Sequence, residues 1–432
     1  MLLGLRQVFA RRQNLRAHFW QSAANYLQQI SGLVLGILLA RALSPEVFGE
    51  FAYVASVTAL FVVPASWSLA PQIVAEVRAH PEIVNDGLNI SRIIVFPRAA
   101  LILAACVFLY FTEGTRHAVL GAVVGIPLIG HEHLAVLRSS MEGRGNFKLN
   151  FTDSVLTALT TALIALPAAW LGAGVWALAL PALPLFVAQL ILFHRFTGVR
   201  FAAAPPRSTR SYWRSATSLW LANCSDTALY RLDKVFLGHY SNLGAVGDYS
   251  RALNYAPIAT RALSSFITSP AVAVLTDTTN APARFALITK SVILLCLAGG
   301  LNFLFWWFFS ASLVPGLFGV QWIAAVPVFQ AMATLSLALA AAYLPVTIAL
   351  ANRRYKTLAI VRALALVFFV GLVALKSPSM NAVTMAYLLQ STLILQGLLL
   401  STALLLPVAV LYRILRAVQC TLRRALTIES FL

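Results

Sequence analysis

Apolar runs, most of them close to the roughly 20 residues that a helix needs to cross a bilayer, recur along the whole 432-residue chain. The first half carries them at Ala23 to Leu43, Glu50 to Val77, Arg92 to Thr112, His117 to Leu137, Phe151 to Leu171 and Val175 to Phe196. The second half repeats the pattern at Ser215 to Gly238, Val246 to Leu275, Phe285 to Ser310, Ile323 to Ala351, Leu358 to Leu375 and Ala382 to Leu406. An unpaired peptide group in hydrocarbon costs several kcal/mol, so only helices or closed barrels can span. Barrel strands would alternate polar and apolar residues, and these runs are continuous. The expectation is therefore an all-α polytopic membrane protein with about twelve transmembrane helices. Its 60% hydrophobic and 11% charged content leaves no soluble alternative for a chain of this length.

The formal charge of +18 would suit a nucleic-acid binder only if it formed one face or stripe. Instead the cations fall in small groups between apolar runs, and no nucleic-acid partner is expected. Cationic loops stay in the cytoplasm. With the N-terminus inside, the inner segments collect Arg6, Arg11, Arg12, Arg16, Arg78, Arg138, Arg144, Lys148, Arg195 and Arg200, then Lys290, Arg354, Lys356, Arg413 and Arg416. The outer side keeps little beyond Arg41, Arg116 and Lys376. An even number of spans with both termini cytoplasmic follows. Arg11-Arg12 ahead of an apolar run, with Ala40-Arg41-Ala42 behind it, has the outline of a signal peptide. The charge on Arg41 argues against cleavage, and losing the first span would spoil the alternation of loop charge.

A repeat divides the chain. Leu39 to Ala52 can be laid over Leu237 to Ser250, pairing Gly49 with Gly247, Glu50 with Asp248 and Phe51 with Tyr249. Asn146-Phe147-Lys148 after the fourth span likewise matches Arg354-Tyr355-Lys356 after the tenth. An even span number per half makes the repeats parallel, related by an axis along the membrane normal. The division expected is an N-terminal six-helix lobe over 1–200, a pseudo-symmetric C-terminal six-helix lobe over 201–412, and a basic cytoplasmic tail over 413–432. Two such bundles suggest a transporter with a cleft between them.

The stretch Leu39 to Gly49 resembles the end of the first helix in polysaccharide-biosynthesis flippases of the multidrug, oligosaccharidyl-lipid and polysaccharide (MOP) exporter superfamily. Asp233 to Gly238, Ala245 to Ala252 and Phe318 to Ala325 resemble later parts of the same family. The resemblance implies two six-helix lobes in a V, alternating access, and a bacterial inner-membrane location. It also implies export of an undecaprenyl-pyrophosphate-linked oligosaccharide to the outer leaflet for lipopolysaccharide or exopolysaccharide biosynthesis. The partners that it implies are the lipid-linked anionic oligosaccharide, membrane lipids and polysaccharide polymerase machinery.

Charges inside the spans supply candidate contacts, because an ionised side chain there costs roughly 2.5–3.5 kcal/mol unless it faces a cavity or a partner. Arg261 lies near the middle of the eighth span; Arg98 lies toward the inner end of the third, and Arg231, Lys234 and Arg251 toward the outer ends of the seventh and eighth. Facing the cleft, they would form cationic steps suited to a pyrophosphate; snorkelling and ion pairing are the structural alternatives. Arg251, Asn254, Ile258, Arg261 and Ser265 share one broad helical face. Asn25 and Gln28 in the first span would bind sugar hydroxyls or join helices, whereas Gly32, Gly36, Gly121 and Gly125 read as packing positions. Asp226, Asp233 and Glu132 are the candidates for ion coupling, with Asp233 beside Lys234 better placed as a charge partner.

No metal and no cofactor are expected. His131-Glu132-His133 lacks the spacing that places two ligands on one helical face, and Cys106, Cys224, Cys296 and Cys420 are scattered. A membrane glycosyltransferase or polysaccharide polymerase would need catalytic groups at its outer face, but these outer loops are short and show no paired carboxylates. A drug or cation exporter would build its cavity from carboxylates, and this chain has only 14 acidic residues. The sequence reads as a transporter, not an enzyme.

Overall fold

The computed structural model describes residues 2–67, 70–78, 80–197, 210–261, 263, 281–352 and 354–405. In the first half α1 covers Leu2–Ala42, α2 Pro45–Val62, α3 Ala70–Glu76, α4 Ile83–Glu113, α5 Thr115–Gly143, α6 Phe147–Trp170, α7 Trp176–Ala179 and α8 Ala182–Thr197. In the second half α9 covers Arg210–Tyr240, α10 Leu243–Tyr255, α11 Ala281–Phe318, α12 Val326–Ala351, α13 Tyr355–Lys376 and α14 Ala382–Leu405. Among the described residues ten helical segments are long and apolar enough to cross a membrane. The polar and charged residues of α9 leave it too weakly apolar for that count despite its 31 residues, and the expected eighth span lies partly outside the described residues. The fold is polytopic and helical, compatible with twelve spans. Phe96, Phe111, Leu171 and Val367 stand on the surface with at least two-thirds of their area exposed, as residues facing lipid must.

The expected second span, Glu50 to Val77, is broken. Pro64 lacks an amide proton; α2 stops at Val62, a 3-10 turn covers Val63–Ala65, and the chain resumes as α3. A break at this depth leaves carbonyls without helical donors, which is tolerated only where side chains supply them. They do so in sequence: Cys224 Sγ donates to the Val63 carbonyl at 3.3 Å, Trp220 Nε1 to Pro64 at 3.0 Å and Arg98 Nε to Ala65 at 3.1 Å.

Helix pairing repeats between the halves. The pairs α4–α5, α1–α6, α5–α8, α2–α5 and α6–α8 are matched by α11–α12, α9–α13, α12–α14, α10–α12 and α13–α14. Across the halves, the extensive contacts are those of α2 with α10 and with α9. The repeat windows form the α1–α2 and α9–α10 corners, where Ser44 and Asn242 occupy equivalent N-cap positions and the Asn242 side chain accepts from the Ala245 amide at 2.8 Å. The repeated glycines carry the crossing. A Cβ on Gly49 would overlap the Leu243 carbonyl oxygen, and one on Gly247 would overlap the Pro45 carbonyl oxygen. Since Leu243 is the counterpart of Pro45 in the repeat, the contact is reciprocal. Around it one buried apolar cluster joins Leu39, Leu43 and Phe48 to Val246, Ala252 and Trp322. Arg41 donates to the carbonyls of Leu317 at 2.9 Å and Gly316 at 2.7 Å, and Trp322 Nε1 donates to Ala40 at 2.9 Å. This end of the molecule is sealed.

Gly49→Ala and Gly247→Ala are expected to destabilise the detergent-purified protein by roughly 1–3 kcal/mol, the usual cost of forcing a methyl into a packed site. Gly300→Ala and Gly371→Ala, where nothing lies within 4 Å of the added atom, should be neutral or slightly stabilising in the same thermal unfolding assay. Melting of Gly247→Ala alongside those controls would contradict the crossing.

Candidate substrate cavity

Below the sealed end the halves enclose a cavity of about 570 Å³. The first half contributes Phe48, Phe51, Ala52 and Ala55 of α2 and Leu178 of α7. From α9 come Asp226, Thr227, Tyr230, Arg231 and Lys234, spaced so that three- and four-residue steps turn them to one side. From the second strip come Ser250, Arg251, Leu253 and Asn254 of α10, with Arg261 beyond it. Four cations thus line the wall against one carboxylate.

That carboxylate is already engaged. Asp226 Oδ1 lies 3.4 Å from Arg362 Nε of α13, whose guanidinium also donates to Asn223 Oδ1 at 3.3 Å. Lys234 is largely buried and pairs with the wholly buried Asp233 at 3.0 Å, while Tyr249 OH donates to Asp233 Oδ2 at 2.9 Å. Arg251 Nη1 donates to Tyr255 OH at 3.0 Å, and its guanidinium carbon stands 3.4 Å from the centre of the Phe48 ring. Tyr255 OH reaches the Gly32 carbonyl at 3.4 Å, and a Cβ on Gly36 would overlap that hydroxyl. Gly36 therefore makes room for the tyrosine that holds Arg251, and Gly32 accepts its hydroxyl through the backbone. Arg261 Nη2 donates to the Leu253 carbonyl at 3.0 Å.

The structure thus brings together Arg231, Lys234, Arg251, Arg261 and Asp226 from the sequence candidates, and places the others elsewhere. Arg98 is not a step of the cavity wall. It is 1% exposed inside the first half, where it braces the break after α2 and donates to the Leu128 carbonyl at 2.8 Å, Ser66 Oγ at 2.9 Å and Glu132 Oε1 at 2.9 Å. Glu132 is accordingly the counter-ion of Arg98, away from the cavity. Asp233 sits behind Lys234 and does not line the wall. Asn25 is half-buried and Gln28 exposed on α1, neither on the cavity. Of the expected polar face, Ile258 instead lines a separate apolar groove with Tyr26, Gln29, Ile30 and Leu33, and Ser265 lies outside the described residues. No group of three or more potential metal ligands occurs among the described residues.

Sequence reasoning missed Arg362, although an arginine early in the run Leu358 to Leu375 meets the same intramembrane criterion as Arg261. It also missed the aromatic partners of Arg251, for which a lone phenylalanine in an apolar run gives no signal. His194, whose Nε2 lies 3.0 Å from His133 Nε2, was invisible because 61 residues separate the two rings.

A two-half helical bundle enclosing a polar cavity is the build of a membrane transporter, and solved structures share it. A MOP superfamily transporter from Pyrococcus furiosus matches with a TM-score of 0.67 at 13% identity, covering 90% of this chain and 93% of its own. The lipid II flippase MurJ in an inward closed conformation matches with a TM-score of 0.65 at 12% identity, covering 90% and 88%. An outward-facing multidrug resistance MATE transporter matches with a TM-score of 0.64 at 14% identity, covering 90% and 93%. These likenesses establish the fold. No curated protein sequence matches the chain significantly. The family model for polysaccharide biosynthesis proteins matches residues 15–278, more than half of the chain, and the chain belongs to that family.

Removing one partner of a buried ion pair leaves an uncompensated charge, at a cost of about 3–5 kcal/mol, whereas replacing both by apolar groups is often neutral. Glu132→Gln is therefore expected to lower the melting temperature strongly, and Arg98→Met with Glu132→Leu to recover only part of it, because the carbonyls of Ala65 and Leu128 lose their donor as well. Equal melting of single and double variants would show that the pair is no brace.

Proposed function

We propose that the protein flips an undecaprenyl-pyrophosphate-linked oligosaccharide across the bacterial cytoplasmic membrane, from the cytoplasmic to the periplasmic leaflet, by alternating access. The observation that carries this reading is the sign of the cavity: Arg231, Arg251 and Arg261 line it, while Lys234 is paired with Asp233 and Asp226, its one carboxylate, with Arg362. A wall of that charge favours a pyrophosphate and repels a cationic drug. Its volume lies within the ~300–1,000 Å³ usual for a ligand site, enough for the charged linkage and the adjoining sugar. The apolar groove of Tyr26, Ile30 and Leu33 opens on the surface beside it and suits a lipid tail.

In this reading 1–200 and 201–412 are the lobes that rock, both termini are cytoplasmic, and the sealed end faces the periplasm. The released product feeds a polysaccharide polymerase for lipopolysaccharide or exopolysaccharide. Asp226 is the ion-coupling candidate that reaches the cavity; Asp233 and Glu132 serve as counter-ions.

Complementation of a flippase-null bacterium tests the assignment, scoring surface glycan and the lipid-linked intermediate retained inside. The wild type is expected to restore surface glycan. Arg231→Ala and Arg261→Ala, at matched membrane abundance, are expected to reduce it roughly tenfold or more each, since a hydrogen bond to a charged group is worth about 1.5–3 kcal/mol. Failure of the wild type across several glycan backgrounds, combined with resistance to cationic dyes, would favour the drug-exporter reading.

A further inference from the structure

Three basic residues among those described are buried: Arg98, Lys234 and Arg251. Arg98 and Lys234 each lie against a carboxylate, at 2.9 and 3.0 Å. Arg251 has no carboxylate partner among the described residues. Its charge rests instead on aromatic faces, with the guanidinium carbon 3.4 Å from the Phe48 ring centre, 5.6 Å from Tyr255 and 5.9 Å from Trp322. Its guanidinium donates to Tyr255 OH, and the side chain lines the cavity. A buried cation held only by ring quadrupoles and one neutral hydroxyl is under-compensated.

The location of those rings matters more than their number. Phe48 belongs to α2 of the first half, next to Gly49 of the sealed crossing; Arg251, Tyr255 and Trp322 belong to the second half. Phe48 also packs on Trp322 with ring centres 5.5 Å apart, and Trp322 bonds the end of α1. The stack of Arg251 on Phe48 is thus a tie between the halves at the roof of the cavity.

We infer that Arg251 is the residue through which cavity occupancy opens the seal: Phe48 holds its charge in the empty carrier, and a bound anionic phosphate group takes that charge over. The attraction between a guanidinium and a ring face is electrostatic. An anion on the open edge of Arg251 neutralises the charge that Phe48 sees and draws the side chain toward Arg231 and Arg261. Contact between the halves then weakens only when cargo is present. Such a ligand shifts the equilibrium because it binds the two states differently. This inference rests on the anion-binding reading of the cavity, and Arg251 acts in it as a coupling residue as well as a ligand.

The test separates the two. Spin labels at Thr115→Cys and Ser241→Cys, exposed positions in the two halves near the sealed end, report the separation across the seal in nanodiscs, on a background with the native cysteines changed to serine. Inorganic pyrophosphate is the probe, with binding measured separately by calorimetry. In the wild type, pyrophosphate is expected to bind and to raise the long-distance population several-fold. Arg251→Gln, which also loses the stack on Phe48, is expected to populate the long distance without ligand, to bind pyrophosphate more weakly through the remaining cations and to show no further shift on adding it. Phe48→Leu, which keeps apolar packing, is expected to populate the long distance without ligand, and Phe48→Trp, which keeps a ring face, to behave as the wild type. Binding without a shift in the wild type, or an undiminished shift in Arg251→Gln, overturns the inference while leaving the anion site standing. Absence of binding to the wild type overturns the anion site and this inference together.

Discussion

The crossing of α2 over α10 sets the positions of nearly everything that acts in this molecule. Backbone meets backbone there because Gly49 and Gly247 have no side chain to hold the helices apart, a device that membrane helices use because lipid provides no hydrophobic drive for association. Once the two helices are fixed at that distance, their next turns diverge around the cavity. Phe48, Phe51 and Ala55 come to one wall, Arg251 and Asn254 to the facing one. The repeated sequence window therefore encodes more than a helix end. Each copy supplies the glycine that admits the other copy's first turn, so the seal is made by the symmetry of the chain itself.

Intramembrane charges in this fold divide by what faces them. Arg98 has an acid and three oxygen acceptors, and every one of those bonds holds the first half together around the break after α2. Lys234 and Arg362 stand at the edge of the cavity but are compensated by Asp233 and Asp226. Arg251 has aromatic faces and the Tyr255 hydroxyl in place of an acid among the described residues. A buried cation by itself says little about function, since ion pairing within a fold explains most of them; what distinguishes a binding group is compensation that is weak and replaceable.

The helical, polytopic class was legible because hydrocarbon solvation imposes a length and a continuity on each span that survive in the sequence as bare hydropathy. The repeat was legible for a related reason: close crossings demand glycine, and glycine is conspicuous. Arg231, Lys234, Arg251 and Arg261 were found on the cavity because a charge in an apolar run is rare. The same criterion misplaced Arg98, since hydropathy reports depth along a helix but not azimuth, and the acceptors that claim Arg98 lie on the break beside Pro64 and on α5. Arg362 met the criterion and went unread. Phe48 could not have been read, because its role depends on a cation that lies 203 positions further along the chain and meets it only through the crossing.

The repeat also departs from its own symmetry, and the departure falls beside the seal. Glu50 of α2 pairs with Arg116 at 2.8 Å and lies 3.5 Å from His117 Nε2, both at the start of α5. Its counterpart Asp248 on α10 is equally buried, yet Oδ1 has no hydrogen-bond partner among the described residues. The helix that corresponds to α5 is α12, which carries no charged residue along its length. One half of the crossing is thus braced to its own bundle through an ion pair, and the other through apolar packing on Trp322 and Phe329. A symmetric seal would give the two bundles equivalent roles. With these unequal braces, α2 is tied to the first half by an ion pair whose arginine is largely exposed, whereas α10, which carries Arg251, is held to the second half by fully buried aromatic packing.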